Sequence, residues 1–180
     1  TEQYILPMLH DAQDIFGGSI PLLAAPWSPP TFMKTTGQRN GGGTLKDDYR
    51  AAYASYLCRY ILQLRKAGAN VVRLTSQTEP NATQTWDSCL YTPLQEKEFI
   101  RDYLYQALQQ NGLTDVELFI WDHNKERVFE RASDILDESI DEIITGIAFH
   151  WYSGDHFEAL DLVHNRFPNK KMVQSEACIE

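Results

Sequence analysis

Two glutamates stand just beyond apolar runs of strand length. Glu79 closes Leu74-Thr75-Ser76-Gln77-Thr78-Glu79 and is followed by Pro80; Glu176 follows Met172-Val173-Gln174-Ser175. A proline cannot prolong a hydrogen-bonded ladder, so Glu79 belongs at the rim of a sheet. Taken singly, either acid reads equally as a surface residue in a turn. Two carboxyl groups converging across one cavity are the minimum equipment for cleaving a glycosidic bond: one protonates the departing oxygen, the other acts at the anomeric carbon. Such a pair needs opposite protonation. A neighbouring negative charge and partial burial raise the pKa of the acid, while hydrogen bonds keep its partner ionised.

The other strand ends carry residues suited to a sugar. Trp27, Trp86, Trp151 and Tyr152 fall in or beside these loops, where flat apolar faces stack on the C–H faces of a pyranose; core packing is the alternative for each. His150 stands where a hydroxyl or carboxylate partner is wanted, or is a satisfied strand histidine, and Trp121 reads equally as core. More than ten residues separate Pro80 from Thr92 and include Trp86, Cys89 and Tyr91, a loop longer than a connection requires. A metal-hydrolase reading would draw on Asp122, His123, His150 and His156. No HxH or HExxH pair occurs, so neither a metal nor another cofactor is expected. Asn81-Ala82-Thr83 matches a glycosylation sequon, but a glycan there would block the cleft, and the match is read as coincidence.

The elements that must position these side chains alternate. A helix follows Gly41-Gly42-Gly43, with Thr44 and Asp47 at capping-box spacing; Tyr49, Tyr53, Tyr56, Leu57, Tyr60, Ile61 and Leu64 form its apolar stripe, and Gly68 stops it. A second starts at Thr92, with Pro93 in its first turn and Gln95 three residues after the cap, and ends at Asn111-Gly112. A third presents Phe157, Leu160, Val163 and Phe167 before Pro168, and looser helices cover Glu2 to Phe16 and Val128 to Asp137. Between them lie five runs of the length of strands buried on both faces: Pro21 to Ala25, Asn70 to Leu74, Val116 to Trp121, Ile143 to Phe149 and Lys171 to Ser175.

Strict alternation predicts an α/β fold with a parallel sheet, either doubly wound or an arc of a (β/α)8 barrel. No GxGxxG follows a strand, and in Gly37 to Thr44 a glycine, Gly43, occupies the position of a phosphate loop's lysine. Polar or aromatic residues at all five strand ends, Trp27-Ser28, Glu79, Asp122-His123, His150-Trp151-Tyr152 and Glu176, instead match the mouth of a barrel. Five strands are fewer than eight, so a partial (β/α)8 TIM barrel, about strands 3 to 7, is expected over residues 1–180.

The 180 residues carry 16 Lys+Arg against 25 Asp+Glu, a net charge of −9, with 43% hydrophobic residues. An acidic balance without a basic cluster argues against a nucleic-acid partner. No apolar run approaches the length of a membrane span. Cys58, Cys89 and Cys178 do not form a disulfide framework, and the opening Thr1-Glu2-Gln3-Tyr4 does not read as a signal peptide, which together weakly favour a cytoplasmic setting.

Taken together, the motifs resemble glycoside hydrolase family 30, the group that includes glucosylceramidases. The resemblance rests on Ala25-Pro26-Trp27-Ser28-Pro29-Pro30-Thr31-Phe32-Met33-Lys34-Thr35, Gln77-Thr78-Glu79-Pro80 with Trp86-Asp87-Ser88-Cys89, Trp121-Asp122-His123-Asn124, Phe149-His150-Trp151-Tyr152 and Ser175-Glu176-Ala177-Cys178. It implies a retaining β-glycosidase on a (β/α)8 barrel with a β-sandwich side domain, acting on a carbohydrate or glycoside substrate. Within it, Glu79 resembles the acid/base and Glu176 the nucleophile, with Trp27, Thr78, Asp122, His150, Trp151 and Tyr152 around the sugar. β-Glucosides are the implied substrates; β-1,6-glucanase, β-xylosidase and a non-catalytic sugar-binding relative are the alternatives. Thr78 departs from the family pattern, which has Asn before the acid/base. The resemblance also implies that strands one, two and eight and the side domain lie outside these residues, so the segment alone is expected to be inactive.

Overall fold

The computed structural model describes residues 3–179. Five parallel strands, β1 (Leu22–Ala24), β2 (Val71–Thr75), β3 (Glu117–Asn124), β4 (Ile144–His150) and β5 (Lys171–Glu176), lie side by side in chain order. Helix α1 (Ile5–Phe16) precedes β1, and α2 (Arg50–Lys66), α3 (Pro93–Phe99), α4 (Tyr105–Gln110), α5 (Val128–Ile135) and α6 (Phe157–Arg166) fill the intervals between strands. Sequential parallel order with a helical crossover at each step is the arrangement of a (β/α)8 barrel, of which this is a five-stranded part. Among the described residues, β1 and β5 each pair on one side only.

Much of the core follows the apolar periodicity, but Tyr56, Tyr60 and Phe157, which spacing places on apolar stripes, stand exposed, and β1 and β5 hold no fully buried residue. Tyr53, Ala54, Leu57, Cys58 and Ile61 form the buried face of α2, a spacing of three and four residues that keeps them on one side of a helix. β3 and β4 are almost wholly buried, as strands covered on both faces must be. At Gly146 of β4, a Cβ would come within 2.4 Å of the Lys171 carbonyl oxygen and 2.5 Å of the Phe119 ring. Only glycine lets β5 and the Phe119 side chain approach there.

Thr92 caps α3 with a complete capping box to Gln95, as its spacing predicts. Thr44 does not cap α2: its N–H bonds Thr35 Oγ1 and its carbonyl accepts from the Thr35 N–H, both at 2.9 Å. The chain reaches α2 through a short 3-10 turn, Asp47–Tyr49. A π-helical segment, Ile100–Leu104, joins α3 to α4, which apolar periodicity does not reveal. The first helix begins at Ile5; Glu2, where the sequence places its start, lies outside the described residues.

Candidate active site

The site is built where β3 stops behaving as a strand. The register slips between Trp121 and His123, bulging Asp122 out of the ladder. Trp121 and Asp122 hold φ of 75° and 50°, and Glu79 a φ of 46°. Such left-handed conformations cost non-glycine residues about 1–3 kcal/mol each and persist only where surroundings impose them. Here the surroundings are explicit. Glu96, fully buried on α3, accepts from the Trp121 N–H at 3.1 Å and from the Ser76 hydroxyl at 2.7 Å. Its other oxygen is paired with Arg131 of α5 at 2.7 Å. Arg131 also bonds the Tyr91 carbonyl and lies 5.6 Å from the centre of the Trp121 ring. The Glu79 N–H in turn donates to the Asp122 carbonyl at 2.8 Å, which ties the acid-bearing loop directly to the bulge.

The bulge turns Asp122 inward. Its carboxylate accepts from Thr75 Oγ1 at 2.9 Å, from Ser175 Oγ, and from His150 Nε2 at 3.1 Å. His150 is completely buried, and its opposite nitrogen, Nδ1, lies 3.5 Å from Glu79 Oε1, while Nε2 is also 3.7 Å from Glu176 Oε2. One imidazole therefore stands between the two glutamates. Burial alone would lower its pKa, but hydrogen bonding to Asp122 and the neighbouring Glu79 and Glu176 carboxylates outweigh it and push it up to about 9.

Glu79 answers to the same contact. His150 draws its carboxyl below the ordinary value; burial opposes this, and Gln84 Nε2, donating to Oε2 at 2.8 Å, assists it. This reverses the expectation of a raised pKa at this acid, because the carboxylate faces the His150 and His123 imidazoles and accepts a hydrogen bond from Gln84. Glu176 accepts from the Tyr152 hydroxyl at 3.1 Å, and that hydroxyl accepts from the Cys178 N–H. The phenol pKa, pushed up to about 12 chiefly by desolvation, keeps Tyr152 a proton donor.

Glu79, Glu176, Trp27, Thr78 and Tyr152 line one cavity of about 380 Å³, together with Gln84, Trp86, His123 and Asn124. Asp122 and His150 lie behind its wall with almost no exposure. Trp151, 40% exposed, is not among the lining residues. The sequence does not reveal Ser175, Glu96 and Arg131, whose partners stand far away along the chain, or Gln84, which donates to Glu79 five residues before it in the same loop. His156 bonds the Ser153 carbonyl rather than joining the other histidines. Cys58 and Cys89 are buried, and burial raises both thiols to about 11. No helix among the described residues is long and apolar enough to cross a membrane.

A parallel α/β arc with two carboxyl groups at its strand ends is the arrangement of part of a (β/α)8 barrel with its mouth at the strands' C-terminal ends. The chain matches the model of the glycosyl hydrolase family 30 TIM-barrel domain over residues 1–180, and it belongs to that family. It is 33% identical to lysosomal acid glucosylceramidase of Mus musculus over 97% of this chain and 36% of that protein. It is 27% identical to an endo-1,6-beta-D-glucanase of Aspergillus fumigatus over 88% of this chain and 35% of that one. The crystal structure of SrfJ from Salmonella typhimurium superposes with a TM-score of 0.94 at 40% identity, covering 99% of this chain and 40% of SrfJ. The chain thus spans about a third of the length of the curated relatives it matches.

Proposed function

We propose that this segment carries the catalytic pair of a retaining β-glycosidase, with Glu176 as nucleophile and Glu79 as acid/base, and that β-glucosides are its substrates. The observation that carries this reading is the placement of both glutamates on one cavity wall, with His150 between them. Glu176, held by the Tyr152 hydroxyl, attacks the anomeric carbon and forms a glycosyl-enzyme. The proton for the leaving oxygen is stored at the Glu79–His150 pair, on the ring nitrogen 3.5 Å from Glu79 Oε1. Binding of an apolar sugar face removes water and favours the neutral pair, delivering the proton to Glu79. In the second step Glu79, again ionised, takes a proton from water as that water releases the glycosyl group with configuration kept.

Around the sugar, Trp27 at 44% exposure offers a stacking face. Trp151 is assigned to the rim beside Tyr152. The Thr78 hydroxyl oxygen is buried, lines the cavity and has no hydrogen-bond partner, which suits a contact to a sugar hydroxyl. Likeness to a glucosylceramidase favours a glucoside with a lipid aglycone; likeness to an endo-1,6-glucanase favours a β-1,6-glucan. Turnover of glucosylceramide against a β-1,6-linked glucan separates the two.

The roles are tested by azide rescue in the whole protein. Glu176→Ala abolishes hydrolysis of an aryl β-glucoside, and azide restores turnover with an α-glucosyl azide as product, because one displacement inverts. Glu79→Ala with azide yields the β-azide, because two displacements retain. The opposite assignment of products would reverse the two roles, and rescue in neither variant would remove the retaining mechanism.

A further inference from the structure

The wall of the cavity contains an arrangement that hydrolysis leaves unexplained. His123 Nδ1 and His150 Nδ1 are both buried and both lack a hydrogen-bond partner, although buried polar atoms are almost always satisfied. Both face the same oxygen, Glu79 Oε1, at 3.7 Å and 3.5 Å, too far for ordinary N–H···O bonds. One ligating atom from each of the three residues lies within 4.8 Å of those from the others. Metal bonds of about 2.0–2.1 Å place neighbouring ligands of a tetrahedral zinc ion about 3.3–3.4 Å apart. The two contacts to Glu79 are therefore within a few tenths of an ångström of the spacing the ion demands.

From this we infer that Glu79, His123 and His150 form a His2Glu site for a borderline-soft divalent cation such as Zn²⁺, with the fourth position open to the cavity. Two independent features fit. His150 presents Nδ1 to the site while its Nε2 bonds the Asp122 carboxylate at 3.1 Å, the carboxylate–histidine relay that orients a ligating imidazole and raises its basicity. Three carboxylates, of Glu79, Asp122 and Glu176, surround His150 within 3.1–3.7 Å, a concentration of negative charge that favours a bound dication. A sequence search for HxH or HExxH does not find this site because its ligands come from three strand ends. An ion bound there displaces the proton from His150 Nδ1 and occupies the Glu79 oxygen assigned to the acid step. That inhibitory consequence rests on the glycosidase reading, whereas the site itself does not.

The test is calorimetric titration of the full chain with ZnCl₂ in chelator-free buffer, alongside Co²⁺, whose visible absorption reports tetrahedral coordination. One equivalent binds, Co²⁺ gives the intense tetrahedral spectrum, and His123→Gln and Glu79→Gln each weaken binding by about 100-fold or more. Circular dichroism of each variant verifies folding, and the two substitutions fail independently because they sit on different elements. Cys178→Ser and His164→Gln leave affinity unchanged. Absence of stoichiometric binding, or affinity that survives both ligand variants and falls in Cys178→Ser or His164→Gln, overturns the site. Azide rescue is read without added metal, so failure of either proposal is seen separately.

Discussion

Glu96 on α3 accepts the backbone N–H of Trp121 at 3.1 Å, and Trp121 is a residue whose φ of 75° no ordinary strand allows. A buried acid, itself held by Arg131, thus stabilises the turn that aims Asp122 at His150. The hydrogen bond from Trp121 to the Arg131-paired carboxylate offsets part of the strain of the bulge.

Glu96→Gln keeps an acceptor for Trp121 but leaves the Arg131 guanidinium without its counter-charge. Breaking a buried ion pair on one side costs about 3–5 kcal/mol, and the urea midpoint falls accordingly. A variant as stable as the parent protein would show that Arg131 reaches solvent and that Glu96 supports nothing.

The Glu79–His150 contact has a pH window. The His150 pKa rises from an ordinary value of 6.5 to about 9, so its contribution to stability is complete below about 6.5 and lost as pH climbs through 9. The Glu79 carboxyl is lowered, so its contribution is present above the ordinary carboxylate value and lost in acid. The melting-temperature gap between the parent protein and His150→Gln is therefore widest from about pH 5 to 6.5 and closes above pH 9. A gap that widens with alkalinity would contradict the imidazolium assignment.

Thr78→Val removes the unpartnered hydroxyl while keeping its shape. If that hydroxyl meets a sugar hydroxyl, kcat/KM for an aryl β-glucoside drops by up to about tenfold, the worth of one neutral hydrogen bond, while the melting temperature holds or rises. Unaltered kinetics would place the sugar elsewhere in the cavity.

Much of the scaffold was legible from local pattern. Apolar runs of strand length and stripes of helical spacing mark each element locally, so the five strands and the helices between them were legible, although α2 starts only at Arg50 and Tyr56, Tyr60 and Phe157 of the apolar stripes face outward. The positions of Glu79 and Glu176 followed from the same logic, since a strand that ends in a carboxylate advertises a rim. Thr44 misled because a neighbouring threonine, Thr35, competes for the same hydrogen-bonding groups.

What the linear chain determined by itself was the alternation of elements and the acids at their ends, because these depend on neighbours a few residues apart. Only the folded molecule decided that Trp121 bulges, that Glu96 meets Arg131 across 35 residues, and that His123 and His150 turn unpartnered nitrogens toward one Glu79 oxygen. It also decided the direction of the Glu79 titration. Those outcomes depend on distances between side chains remote in sequence, and electrostatic and hydrogen-bond energies change steeply over an ångström, a scale on which residue order carries no information.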